Sequence, residues 1–489
     1  MKKRLLSGSS WAFGGKIAVA AIGLVTNGLL ARMLSPQEFG VYFLALSIIS
    51  LGAVVGSLGL PKTVVRLVAE NIGLNRVGHA RRVIFAVLGL GVLGASGVSL
   101  AYLLFVGDHV GRYLFNSPAL VAVTALMAGW MAISVVQEIT SETFRGFHHI
   151  GAATLLGGMA TGGKSGGLVM RLLMLGCLIL LWVMSGGTDL WAVMLISIGS
   201  GAVSALLAVW LLCTKVSSLG TPGDPHEPAQ DSISPKEVLS TSIPLLMIAL
   251  AAFVLQSSDI WILGALGTQE EVAVYAAASR LVALIAMPLL IVNLVLPPLI
   301  AEMYAQGKTT ELERALRAFS TVSGLPALLL LAGFVLLGGP VLGLVYGDYY
   351  RSGVLVLVLL SAAKVVAVWA GSCGLVLQMT GHHKQMLWVS LLTSPLFVVG
   401  ALLLVRDYGP VGVAGAAAAT TSLQNVILVL IVRRKTGMWT HAVFSTSPFR
   451  KALSNRSFRA VLPWPHPTEP AARGAGSESQ KGKKGERLR

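Results

Sequence analysis

Asp259, Arg280 and Lys364 are ionisable residues set inside long apolar runs, a position that suits anion binding or ion coupling and not covalent chemistry. An ionised side chain near the middle of a membrane helix costs on the order of 2.5–3.5 kcal/mol even on the lenient insertion scale, so it turns toward a partner or a watery cavity. Arginine presents a fork that matches phosphate oxygens, and lysine a point charge. Asp259 and Arg280 flank the turn in LGALGTQEEVAVYAAASRL (263–281), each roughly 6 residues, or about 9 Å of helix rise, inside its run. At similar depth in adjacent helices they are expected to pair, so the first role of Asp259 is to neutralise Arg280, ahead of binding a coupling cation or exchanging a proton. Lys364, in SAAKVVAVWAGSCG, has no acid in its own run and is expected to face a cavity.

Arg32 and Lys16, at the two ends of the first apolar run, complete the candidate cavity cations. These two and Arg171, just inside a later run, can instead snorkel to the lipid headgroups, which is the commoner fate of such residues. Asn27 is a mid-run polar group that either faces the cavity or hydrogen-bonds a neighbouring helix, the latter being commoner.

Other motifs carry less. GMATGGKS at 158–165 satisfies the phosphate-loop pattern, but it falls in a short loop between apolar runs, with no room for a nucleotide-binding domain. His148, His149, His382 and His383 form two pairs in loops, with no cysteine or carboxylate to complete a metal set. No Ser/His/Asp arrangement or carboxylate pair suits hydrolysis or glycosyl transfer, and no cofactor or metal is expected.

The elements that must position these residues are membrane helices. The chain of 489 residues is 55% hydrophobic and 12% charged, with a mean hydropathy of +0.77, far outside soluble globular usage. Cys177, Cys213 and Cys373 lie in apolar runs without the spacing of a metal site or disulfide framework. The net charge of +16 fits Lys and Arg enriched in cytoplasmic loops, and no basic helix interleaved with aromatics points to nucleic acid. The N-terminus has the charge-then-apolar order of a signal peptide, but its long apolar run reads as an uncleaved first helix.

Runs of about 20 apolar residues predict about twelve spans, near 14–33, 41–60, 83–106, 117–137, 167–184, 190–213, 242–265, 274–298, 319–338, 353–378, 386–405 and 410–432. Alternate connections hold nearly all the positive charge, including Lys62, Arg66, Arg76, Arg81, Arg82, Lys215, Lys308 and Arg433 to Lys435. The other set carries Arg112, Arg351 and Arg406, with Arg32 at a helix end. Positive charge stays on the cytoplasmic side during insertion, so both termini are expected inside. Residues 214–238 read as a flexible linker rich in Pro, Gly and Ser, and the basic tail, 436–489, as disordered.

The chain also repeats itself. SPQEFGVYFLALS (35–47) matches TQEEVAVYAAASR (268–280) at an offset of 233, and His148 falls over His382 at 234. Thr26 then answers to Asp259 and Ser47 to Arg280, which makes both polar candidates for the same cavity. Each half holds an even number of spans, so the halves run in the same direction and enclose the substrate path between them.

LLARMLSPQEFGVYFLALSI, PLLMIALAAFVLQSSDIWILGALGTQEEVAVYAAASRL, YGDYYRSGVLVLVLLSAAK and GLVLQMTGHHKQ together resemble the polysaccharide biosynthesis transporters. These are the O-antigen and exopolysaccharide flippases of the superfamily that includes MATE exporters and lipid II flippases. The resemblance covers roughly residues 10–435 and implies an all-α polytopic fold, a V of two six-helix bundles at 1–213 and 239–435. It further implies alternating access that moves a polyprenyl-pyrophosphate-linked oligosaccharide across a bacterial cytoplasmic membrane, with cavity cations taking the anionic head. Expected partners are that lipid-linked oligosaccharide, membrane lipids and other polysaccharide assembly proteins, with no nucleic acid. A cation-coupled drug antiporter of MATE type is the alternative, but it expects acids in the cavity where this chain offers mostly bases. A multispanning glycan polymerase or ligase expects a large outer loop, and every outer loop here is short.

Overall fold

The computed structural model describes residues 2–74, 76–157, 167–217, 235–293 and 296–443. The phosphate-loop-like stretch at 158–165, most of the 214–238 linker and the tail beyond 443 lie outside the described residues. The regular elements described are all helical. The first half comprises α1 (Lys2–Met33), α2 (Pro36–Gly56), α3 (Leu60–Gly73), α4 (Val77–Ala101), α5 (Thr124–Gly146), α6 (Leu168–Ser185) and α7 (Leu190–Ser217). The second comprises α8 (Pro235–Leu266), α9 (Gln269–Val292), α10 (Leu296–Ala305), α11 (Thr309–Tyr346), α12 (Val354–Ala370), α13 (Cys373–Met379) and α14 (His383–Thr436).

Eight of the described helices are long and apolar enough to cross a membrane, and α8 makes a ninth if its 54° bend between Val254 and Gln256 is counted within one span. α14 turns a corner at Gly409, whose φ of 52° and ψ of −133° are not helical, so it supplies two passes. The apolar part of α1, Ile17–Met33, falls just short of that length, and α5 is more polar, carrying Glu138 and Glu142. Several ends differ from the sequence reading for local reasons. Residues 60–73, expected as loop, form α3, because Val64 and Val68 recur at helical spacing and are buried while Lys62 points outward. The expected 353–378 span breaks at Gly371, whose φ of +79° favours glycine.

The internal echo is a pair of equivalent helix starts. At α2 the Glu38 amide donates to Ser35 Oγ at 3.3 Å and the Ser35 amide to the Glu38 carboxylate at 3.0 Å. At α9 the same exchange joins Thr268 and Glu271, at 3.2 and 2.8 Å. Such reciprocal caps fix where a helix begins, so α2 and α9 start level with one another. The histidine echo needs a correction of one residue. The His149 amide donates to Phe144 O and the His382 amide to Leu377 O, and the left-handed residues just before them are His148 and Gly381. Those are equivalent helix terminations, so His149, not His148, answers to His382, and the offset is 233 here as well.

The halves meet most closely where α2 crosses α9. A Cβ on Gly40 would lie 1.8 Å from the Gln269 carbonyl oxygen and 3.3 Å from the Ala273 amide nitrogen, so only glycine permits this approach. Above it Phe39 packs edge-on against Phe43 at 4.9 Å and Tyr350 at 5.6 Å, with Tyr346 alongside. We term this end the seam face and the opposite end the open face. A second junction joins α3 to α8, where Thr63 Oγ1 and Ser242 Oγ share a hydrogen bond of 2.7 Å. The chain after α14 also docks: Thr440 is buried, accepts from Ser320 Oγ at 2.8 Å through its carbonyl and donates to Ala370 O at 2.8 Å. Packed chain therefore extends to residue 443, past the expected start of a disordered tail at 436.

Gly40→Ala is expected to cost at least about 3 kcal/mol through overpacking, seen as a lower midpoint in thermal unfolding of the purified protein. Gly97→Ala in α4, where a Cβ meets nothing within 4 Å, is expected to stay within about 0.5 kcal/mol.

Candidate functional site

Two cavities of ≈ 690 and ≈ 500 Å³ lie between the halves, and Gln256 and Arg280 stand in the walls of both. Their sizes are those of small-molecule sites. The larger collects Asn27 of α1, Arg171 of α6, Asp259 of α8, Arg280 of α9 and Lys364 of α12. The smaller runs between α2, α5 and α8 and reaches Lys62 and Arg145 toward the open face.

Arg280 and Lys364 both line the larger cavity, as their apolar context suggested, and Lys364 is exposed into it. The expected ion pair between Asp259 and Arg280 does not form: ion pairs among the described residues join Arg112 to Asp108, Arg145 to Glu142, Arg317 to Glu313 and Arg351 to Asp348. Depth along a helix does not fix the direction in which a side chain leaves it. Arg280 turns toward the first half and places its guanidinium 4.9 Å from the centre of the Phe43 ring, whose negative face stabilises a desolvated cation. The Asp259 carboxylate accepts from the Ile260 amide at 2.8 Å and lies within electrostatic range of Tyr275, Lys364 and Arg280.

Arg171 was expected at the headgroups and is instead a cavity cation. Gly23 of α1 leaves room for it, since a Cβ there would lie 3.0 Å from an Arg171 guanidinium nitrogen. It interacts electrostatically with Tyr42 and with Arg280. A glycine facing an arginine from a distant helix is invisible in the sequence until the helices are paired. Arg32 departs the other way. Its side chain is exposed at the seam face and donates to the Leu344 carbonyl of α11, and it lines an outer groove, not either central cavity. The side chain of Lys16 lies outside the described residues.

Of the polar candidates, Asn27 lines the larger cavity and Ser47 the smaller, where its hydroxyl donates to Leu44 O at 2.8 Å. Thr26 is buried in α1, donates to Ile22 O at 2.7 Å and lines neither central cavity. Glu138 and Glu142 of α5 were not singled out in the sequence. Both are buried, Glu142 pairs with Arg145 at 2.8 Å, and Glu138 reaches the smaller cavity.

The larger cavity gathers three cations and one carboxylate, and among the described residues no three His, Cys, Asp or Glu side chains converge as a metal cage would need. A family model described as polysaccharide biosynthesis protein matches residues 5–304. No curated protein matches the sequence. Among solved structures, an inward-facing multidrug resistance MATE family transporter of the MOP superfamily is similar over 86% of this chain and 94% of that one, at 16% identity and a TM-score of 0.69. An outward-facing transporter of that description covers 89% of this chain and 96% of its own at 16% identity, with a TM-score of 0.57. The lipid II flippase MurJ in an inward closed conformation matches over 90% and 89% at 14% identity, with a TM-score of 0.64. At these identities the likeness establishes a shared polytopic all-helical membrane fold.

A double-mutant cycle of Arg280→Met with Phe43→Leu is expected to show a coupling of about 0.5–2 kcal/mol in unfolding free energy. The cycle of Arg280→Met with Asp259→Asn is expected to be additive within about 0.5 kcal/mol.

Proposed function

The chain belongs to the polysaccharide biosynthesis protein family, and from that membership we propose that it is a flippase which carries a polyprenyl-pyrophosphate-linked oligosaccharide from the inner to the outer leaflet of a bacterial cytoplasmic membrane. The observation that carries this reading is the convergence of Arg171, Arg280 and Lys364 from three helices on one cavity whose wall holds a single acid, Asp259. Three cations to one acid in a recessed cavity call for a polyanionic guest, and a diphosphate meets guanidinium groups through paired hydrogen bonds. Asp259 balances Lys364 while the cavity is empty. A drug antiporter that accepts organic cations would meet net repulsion at the same place.

The open face is the cytoplasmic one. Lys62, Arg66, Arg81, Arg82, Lys308 and Arg433 to Lys435 crowd that end, against Arg112, Arg351 and Arg406 at the seam face, which is the asymmetry left by insertion. Both termini are then cytoplasmic, and the cavities face the leaflet on which the lipid-linked precursor is assembled. Translocation is rocking of the two halves, which closes the open face as the α2–α9 seam parts. Other polysaccharide assembly proteins are expected partners at either face.

Expression in a flippase-deficient strain is expected to restore surface glycan. Arg171→Ala, Arg280→Ala and Lys364→Ala each remove a charge-assisted contact of about 1.5–3 kcal/mol, so roughly tenfold or greater loss of affinity for a lipid-linked oligosaccharide is expected. Arg112→Ala, exposed at the seam face, is expected to behave as the parent. Full glycan from all three cavity variants overturns the site assignment, and drug resistance without glycan rescue replaces the flippase with an antiporter.

A further inference from the structure

The two cavities differ in the chemistry of their walls, and they meet at one place. Beyond Lys62 and Arg145, the smaller cavity runs between Leu46 and Val54 of α2 and Leu245, Ala249 and Ala252 of α8, and ends against Phe43 and Arg280. The α2 face also carries Ser47 and Ser50, which donate to Leu44 O and Leu46 O within their own helix, and Glu138 of α5 reaches the same cavity. Between α2 and α8 the lining is mostly apolar, and water there finds few of the polar partners it needs.

The larger cavity is more polar. Its wall from α14 presents Thr393, Ser394, Thr420, Thr421 and Gln424, with Phe397 and Ala417 among them. Thr393, Ser394 and Thr420 donate to carbonyls one turn back. A hydroxyl that has spent its proton in this way keeps lone pairs that accept from a guest. A wall of neutral acceptors suits a polyol whose hydroxyls donate.

We propose that the two cavities divide one substrate between them: the smaller, between α2 and α8, receives the apolar chain next to the diphosphate, and the larger receives the saccharide against α14. This rests on the flippase reading and adds to it a binding site for the lipid. The order follows from covalent connectivity. In a lipid-linked saccharide the diphosphate joins the chain to the sugar, so it must sit where an apolar compartment meets a polar one, and Arg280 and Gln256 are the residues common to both walls. A head drawn in past Lys62 and Arg145 to Arg280 leaves its chain trailing along the apolar stretch it has just crossed.

The test uses the full-length protein in nanodiscs and a polyprenyl diphosphate bearing a diazirine in the isoprene unit nearest the phosphate, with adducts mapped by mass spectrometry. Labelling is expected within 43–57 and 245–257, at least tenfold above that in α12 and α14. Ala252→Trp, which fills the smaller cavity, is expected to weaken binding of the polyprenyl diphosphate at least tenfold and to leave inorganic diphosphate binding unchanged. Adducts concentrated in α12 or α14, or spread without preference, overturn the division, as does an Ala252→Trp protein that loses both ligands equally or neither. If the parent protein binds neither ligand, the flippase reading itself falls along with it.

Discussion

The seam at Gly40 is the constraint on which the rest of the architecture depends. Two helices can approach with backbone atoms nearly in contact only where one of them lacks a Cβ, and here the partner is the first turn of α9. The paired caps at Ser35/Glu38 and Thr268/Glu271 start α2 and α9 at the same level, so the approach occurs at one end of the molecule. The halves also touch at the other end of α2, where Thr63 meets Ser242 and a Cβ on Gly59 would lie 2.2 Å from Ser242 O, and the two cavities lie between these junctions. The plug over the seam is not optimised for permanence. Tyr346 and Tyr350 are buried with hydroxyls that have no hydrogen-bond partner among the described residues, and each such group costs about 1–3 kcal/mol. A face that must open in part of a transport cycle gains from being closed by a modest margin.

Arg280 ties the seam to the cavities. Its guanidinium stacks on Phe43, the ring that also packs edge-on against Phe39 in the plug, and the same side chain lines both compartments. A contact worth about 0.5–2 kcal/mol between a cavity cation and the closing face means that whatever draws Arg280 away acts on the seam through one named interaction. Had the arginine paired with Asp259, both charges would have been satisfied within the second half, and neither would touch the first. Asp259 forms no ion pair with Arg280 and acts on it, as on Lys364, only at longer electrostatic range.

The sequence was explicit about whatever repeats or accumulates along the chain. Apolar runs predicted about twelve spans, of which eight or nine are helices long and apolar enough to cross among the described residues, and the duplicated segment at 35–47 and 268–280 gave the equivalence of α2 and α9. It was silent on rotation about a helix axis. Asp259 and Arg280 were placed at the right depth and in the wrong partnership because depth follows from counting residues and azimuth does not. Arg171 was misjudged for the same reason: three residues into α6 it could turn to lipid or inward, and the vacancy that admits it is Gly23 on another helix. The one-residue slip in the histidine echo came from matching letters where the backbone matches conformation, His148 taking the left-handed place that Gly381 holds in the other half.

Divergence between the halves is what turns a duplicated scaffold into a directional device. At the offset of 233, Gly40 answers to Ala273, Thr26 to Asp259, Ser47 to Arg280 and Met131 to Lys364. In these pairs the ions fall in the second half, whereas Arg171 of the first half answers to Leu404. A fully symmetric pair would bind the same chemistry on both sides of its axis and could not orient an amphiphile. Arg171, Arg280 and Lys364 reach the larger cavity from α6, α9 and α12, so both halves contribute charge to it, and unequally.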